Sequence, residues 1–181
     1  MRLVPTALPE VVLVEPNVLR DGRGFFIETW RADEFMAAGL PTLFVQDNLS
    51  GSALGTLRGL HAQRLRPQGK LVRVVRGEVF DVAVDIRRSS PTFLHHVAVT
   101  LSAKNALACY VPPGFAHGFC VTSEFAEVEY KVTAPYDPAD ELRILWNDPE
   151  IAIPWPVTDP NLSAKDRAAQ SIRALLDRRP G

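Results

Sequence analysis

Four side chains able to carry proton chemistry fall on β-rich stretches of the chain: His61, Lys70, His117 and Tyr130. An imidazole, with a reference pKa of about 6.5, is largely an unprotonated base at neutral pH, whereas a phenol, with a reference pKa of about 10, keeps its proton there. An inward lysine is the most informative of the set, because a buried ammonium costs several kcal/mol unless it meets an anion or a developing negative charge. Singly, each residue has an ordinary structural reading. A lone histidine on an apolar strand is usually a satisfied core residue, and a lysine at a strand end can extend its stem to water. Their chemistry depends on whether the strands that carry them close on one another.

The elements that must position them are strands. Short β-branched or aromatic runs separated by turn residues dominate the chain, which predicts an all-β sandwich or barrel. Expected strands cover residues 11–15, 24–30, 44–49, 57–64, 71–76, 78–86, 93–101, 106–111, 117–121, 126–133 and 142–146. Turn chemistry brackets them at Arg76-Gly77, Ser89-Ser90-Pro91 and Pro112-Pro113-Gly114. A short helix is expected over residues 33–38, stopped by Gly39 and Pro41, and a C-terminal helix after Ser163. Alternation then sorts faces: Ala126, Val128, Tyr130 and Val132 share one, Lys70 shares one with Val72 and Val74, and His117 shares one with Phe115, Phe119 and Val121. If these strands close one barrel, the four polar groups converge in its mouth. Strict alternation separates Arg58 from His61, so both can face a ligand only if a bulge lies near Gly59.

Length and composition narrow the class. A chain of 181 residues fits one domain, expected over residues 1–181. Twenty Lys and Arg against 21 Asp and Glu leave a formal net charge of −1, without the basic excess of non-specific nucleic-acid binding. No run approaches the ~18 apolar residues of a spanning helix, and Pro5, Pro9 and Glu10 interrupt what a signal peptide would need. Two cysteines, Cys109 and Cys120, lack zinc-type spacing and fit a reduced cytoplasmic protein. A metal site is not expected either. Gln63 follows His61 where a His-x-His pair would be needed, and the adjacent His95 and His96 point to opposite faces. Asp166 fits a Ser-x-x-acid capping box with Ser163, and Arg23 lies in a turn where a solvated arginine is ordinary.

In combination these segments resemble the dTDP-4-dehydrorhamnose 3,5-epimerase family along nearly the whole chain. The carrying motifs are Asp21-Gly22-Arg23-Gly24-Phe25-Phe26-Ile27-Glu28, Val45-Gln46-Asp47-Asn48, Leu57-Arg58-Gly59-Leu60-His61 and Gly69-Lys70-Leu71-Val72-Arg73-Val74. Pro112-Pro113-Gly114-Phe115-Ala116-His117-Gly118-Phe119, Tyr130-Lys131 and Leu162-Ser163-Ala164-Lys165-Asp166 complete them. The resemblance implies a cupin-type jelly-roll β-barrel with short peripheral helices, acting as a metal-free, cofactor-free homodimer on a nucleotide sugar. By the same resemblance His61 is the general base, Asp166 the carboxylate that orients it, Lys70 the cation beside the sugar oxygen and Tyr130 the proton donor. Substrate contacts fall by resemblance on Arg23, Glu28, Gln46, Asp47, Asn48, Arg58, His117, Glu141 and Lys165, with Tyr136 stacking on the thymine. Part of this set is expected to serve the site of a partner subunit.

The implied chemistry agrees with the residue types. A proton beside a ketone is removable only if the enolate oxygen is stabilised, which a fixed ammonium in a dry pocket does. Inversion then needs an acid on the opposite face. Relatives that invert one carbon or isomerise the ketone use the same groups, so the sequence leaves these open beside the double epimerase. A non-catalytic cupin that merely binds a nucleotide sugar has no use for an opposed acid and base.

Overall fold

The computed structural model describes residues 1–177 and contains thirteen strands and three short helices. In chain order these are β1 (Arg2–Pro5), β2 (Val12–Glu15), β3 (Val18–Asp21), β4 (Gly24–Ile27), α1 (Ala32–Ala37), β5 (Gln46–Ala53) and β6 (Leu57–Gln63). They continue with β7 (Lys70–Arg76), β8 (Glu78–Asp85), β9 (His96–Ser102), β10 (Ala108–Val111), β11 (Phe115–Val121), β12 (Phe125–Val132), β13 (Glu141–Arg143), α2 (Ala164–Arg167) and α3 (Ile172–Leu176). Six strands form one antiparallel sheet in the order β1-β2-β10-β7-β12-β5, five form a second in the order β13-β6-β11-β8-β9, and β3-β4 stand apart as a hairpin. The expected all-β jelly-roll architecture is what the chain adopts.

The inner faces of the two sheets make the main core. Val72 and Val74 of β7, Val111 of β10 and Val128 of β12 meet Val79 and Ala83 of β8 and Phe115 and Phe119 of β11. The outer face of the five-stranded sheet is also covered. Leu60, Val82, Val84 and Ala116 pack under Ile144, Ile151, Ile153 and Ile172 of the C-terminal segment. Double coverage explains why all seven residues of β11 are buried, whereas a half-exposed strand would alternate. On the six-stranded sheet, α1 contributes Phe35 to a smaller outer cluster with Val14, Leu71, Ala108 and Tyr110.

Several expected boundaries move, for physical reasons. The sequence reading missed β1 and β3, whose four-residue spans carry Pro5 and the charged Arg20 and Asp21. Pro5 is tolerated because β1 is an edge strand paired only with β2. The strand expected over residues 44–49 begins at Gln46 and runs to Ala53, since β12 offers it an eight-residue partner. The strand expected from residue 93 starts at His96, because Leu94 sits at φ 64 in a turn. The C-terminal helix is two short ones. Ser163 and Ser171 each cap one with the side chain, and Gln170 bridges to Ile144 between them. The rest of the expected C-terminal helix and domain, residues 178–181, lies outside the described residues.

Candidate active site

Alternation inside this sandwich turns a set of polar residues toward one cleft of about 590 Å³. From β5 come Gln46 and Asn48, from β6 Arg58 and His61, from β7 Lys70, from β11 His117 and from β12 Tyr130. The β6 geometry depends on Gly59. His117 pairs with His61 while Phe119 pairs with Arg58, so three steps on β6 match two on β11, which is the bulge the alternation argument required. Gly59 has φ +136, and a Cβ there would fall 2.6 Å from the Gly118 Cα, so neither the conformation nor the close strand approach tolerates a side chain. Gly59→Ala is therefore expected to destabilise the fold by roughly 1–3 kcal/mol. It should also cut turnover by turning Arg58 or His61 out of the cleft. Thermal unfolding and steady-state kinetics on the same sample check both effects.

His61 and Asp166 form a short polar contact in the cleft. The imidazole Nε2 lies 2.6 Å from Asp166 Oδ1, with the carboxylate side chain 4% exposed. The backbone N–H of Asp166 donates to the Ser163 hydroxyl at 3.1 Å, and that hydroxyl donates to Asp166 Oδ2 at 2.8 Å. Asp166 is thus both part of the α2 cap and the partner of His61. Burial works to raise its pKa, but the bond from His61, the His61 charge, the Ser163 hydroxyl and the Arg143 charge outweigh burial, and the carboxyl titrates below its usual value. The carboxylate is ionised at neutral pH, so it is an acceptor, and Nε2 of His61 must carry the proton toward it. The other ring nitrogen is left as the base.

Lys70 and Tyr130 occupy the opposite wall. They sit on neighbouring strands, Lys70 opposite Val132 and Tyr130 opposite Val72, and so are diagonal neighbours on the inner face of the six-stranded sheet. Burial pushes the Lys70 ammonium down to about 8, against the opposing charges of Asp81 and Glu141. Burial raises the Tyr130 phenol above its ordinary value; Arg58 counteracts this and Glu141 adds to it. Tyr130 therefore holds its proton at any pH where Lys70 is charged. His61 belongs to the five-stranded sheet, so base and phenol approach the cleft from different sheets.

The remaining residues divide. Gln46, Asn48, Arg58, His117, Tyr136, Glu141 and Lys165 all line the cleft. Gln46 donates to Asn48 Oδ1 at 2.7 Å and accepts the Tyr136 backbone N–H at 2.9 Å, which anchors the exposed Tyr136 at the rim. Arg58 is held by Ser52 at 3.0 Å, and Glu141 by the Arg143 Nε at 2.6 Å. Asp47, Arg23 and Glu28 are not on the cleft. Asp47 lies between Gln46 and Asn48 and so projects from the opposite face of β5, where it pairs with Lys131 at 2.7 Å. Arg23 turns back on Asp21 at 2.6 Å in the β3–β4 hairpin, and Glu28 lies 3.7 Å from Arg31 beyond it.

Two cleft-region residues escaped the sequence reading. Arg143 lines the cleft and is paired with His61 in register. Asp81 accepts a hydrogen bond from His117 Nε2 at 2.7 Å and is 1% exposed. Alternation on β8 carries the signal for Asp81, since it shares a face with Val79 and Ala83. Arg143 carries none, because β13 is only three residues long. Among the described residues, no group of three or more His, Cys, Asp or Glu side chains is arranged to hold a metal ion, and no helix is long and apolar enough to cross a membrane. Cys109 and Cys120 are free and buried.

Known proteins share this chain's sequence and fold. The family model described as dTDP-4-dehydrorhamnose 3,5-epimerase matches residues 5–174. The protein of that name from Pseudomonas aeruginosa is 53% identical over 174 residues, covering 95% of this chain and 96% of that one. Its Neisseria gonorrhoeae counterpart is 54% identical over 172 residues, covering 94% of this chain and 52% of its own length, so the chain spans about half of that relative. The crystal structure of a dTDP-6-deoxy-D-glucose-3,5-epimerase from Legionella pneumophila, in complex with dTDP-4-keto-L-rhamnose, superposes with a TM-score of 0.93 at 45% identity, covering 99% of this chain and 98% of that one. With the match running through every strand that builds the cleft, the chain belongs to the dTDP-4-dehydrorhamnose 3,5-epimerase family.

Proposed function

We propose that this protein inverts carbons 3 and 5 of dTDP-4-dehydro-6-deoxy-D-glucose, giving dTDP-4-dehydro-L-rhamnose, by proton removal and return beside the C4 ketone. The observation that carries the reading is the placement of His61 and Tyr130 on different sheets around one cleft, with the buried Lys70 ammonium beside the phenol. His61, oriented by Asp166, takes the proton from carbon. The electrons move onto the ketone oxygen, where Lys70 offsets the charge as it forms. Tyr130 then donates its proton to the opposite face of the same carbon; His61 releases the proton it took to solvent and Tyr130 regains one from solvent, which restores both groups.

Substrate contacts follow from the same cleft. Arg58 and Lys165 supply positive charge for the diphosphate, Gln46, Asn48 and His117 supply polar contacts, and Tyr136 presents an exposed ring for the base. Arg23 and Glu28 serve the nucleotide only across an interface. The β3–β4 hairpin that carries Arg23 exposes Leu19, Phe25 and Phe26, which fits a homodimer in which the hairpin reaches a second copy's cleft. We place this dimer in the cytoplasm.

Lys70 sets a pH limit. It acts as an ammonium, which is present below about pH 8 and lost above it, while Tyr130 stays protonated to higher pH. The kcat/KM profile is expected to fall about tenfold per pH unit on an alkaline limb near pH 8. A profile flat to pH 10 would exclude Lys70 as the essential cation. The activity itself is tested by NMR of the product formed from the keto-sugar nucleotide. The L-rhamno configuration is expected, a product inverted at one carbon would make the protein a mono-epimerase, and unchanged substrate would contradict the proposal.

A further inference from the structure

We propose that Asp81 is a positioning residue of this cleft, a single buried carboxylate that fixes the ring of His117 and supplies the negative charge that keeps Lys70 an ammonium. Asp81 lies on β8 between Val79 and Ala83 on the inner face, with an exposure of 1%. One oxygen, Oδ2, accepts from His117 Nε2 at 2.7 Å, while the other, Oδ1, is buried without any hydrogen-bond partner. A carboxylate left half-satisfied in apolar surroundings is costly, and such a group persists where its charge has work elsewhere.

The charges around Lys70 identify that work. Arg58 and His61 face the cleft from β6, His117 from β11, Tyr130 from β12, and Glu141 with Arg143 from β13, while the Cys109 thiol of β10 is pushed up first by burial and second by the Asp81 charge. Two acids, Asp81 and Glu141, act on the Lys70 ammonium. Glu141 is already matched by the Arg143 guanidinium at 2.6 Å. Asp81 has only the His117 ring, which is charged only if protonated. Asp81 is thus the acid whose charge is left over for Lys70. By accepting from Nε2, it also leaves the other nitrogen of His117 free to face the ligand.

The consequence for turnover rests on the epimerase reading; the consequence for Lys70 does not, and the test separates them. The chain holds four lysines, Lys70, Lys104, Lys131 and Lys165, and of these only Lys70 is buried. Its titration can be followed by NMR of the lysine ε-carbon in the full-length protein, with Lys70→Met to assign the signal. Asp81→Asn keeps size and an acceptor while removing charge. It is expected to lower the Lys70 midpoint below its wild-type position near 8 and to displace the His117 N–H resonance. Should the amide disturb packing, Asp81→Ser is expected to give the same shift. An unmoved Lys70 midpoint in a folded variant would overturn the charge role, and an unmoved His117 resonance the orienting role. The alkaline limb of kcat/KM should move down with the NMR midpoint. A shifted midpoint without wild-type turnover would contradict the epimerase reading alone, and turnover with an unshifted limb would contradict this inference alone.

Discussion

His61→Ala is expected to lose epimerisation and the wash-in of solvent deuterium together, each by about 10²- to 10⁴-fold, because no enolate forms without the base. Tyr130→Phe is expected to separate the two. With His61 and Lys70 intact, the enolate still forms, and His61 can hand a solvent-derived proton back to the face it came from, so exchange continues while inversion falls. The distinction follows from the fold: the two residues belong to different sheets and approach the cleft from different sides. Proton NMR in deuterated water measures both quantities on one sample. Full inversion by Tyr130→Phe would remove the phenol from the acid role. Exchange surviving in His61→Ala would transfer the base to another group, and His117, paired directly with His61 across β6 and β11, is the nearest alternative by register.

Asp166→Asn is expected to lower kcat by about 10²- to 10⁴-fold while changing the Tm by only a few degrees. The side chain has two partners. Its contact with the Ser163 hydroxyl at 2.8 Å belongs to the α2 cap, and an amide of the same size can still meet that hydroxyl. Its contact with His61 at 2.6 Å depends on charge, because the carboxylate fixes the tautomer and stabilises the imidazolium that forms as the proton is taken. Kinetics and thermal unfolding together separate the roles. Normal turnover with a lowered Tm would reduce Asp166 to a helix cap.

How far the sequence reveals this site depends on whether a residue's role is local. Tyr130, Lys70 and His117 were legible because each is a polar residue at an apolar position of a strand, and period-two alternation alone assigns its face. The same rule identifies Asp47 as the odd member between Gln46 and Asn48, and the structure places its side chain on the other face of β5, against Lys131. The bulge at Gly59 was inferable only as a condition, because its register is set by β11, where His117 pairs with His61 and Phe119 with Arg58, far along the chain. Asp166 reads as a cap from its own neighbours. Its bond to His61 spans 105 residues and exists only once the C-terminal segment covers the outer face of the five-stranded sheet. Arg23 and Glu28 fall outside this chain's cleft for a related reason: the hairpin that bears Arg23 forms a separate two-stranded sheet.

Inversion at two carbons, through enolates formed on either side of the C4 ketone, is open to one direct measurement. The protein is incubated with dTDP-4-dehydro-6-deoxy-D-glucose in deuterated water, and deuterium is located in the product by NMR and mass spectrometry. One deuterium at C3, one at C5 and the L-rhamno configuration are expected. Product of that configuration lacking deuterium at either carbon would contradict proton removal and return there, and with it the roles of His61, Lys70 and Tyr130.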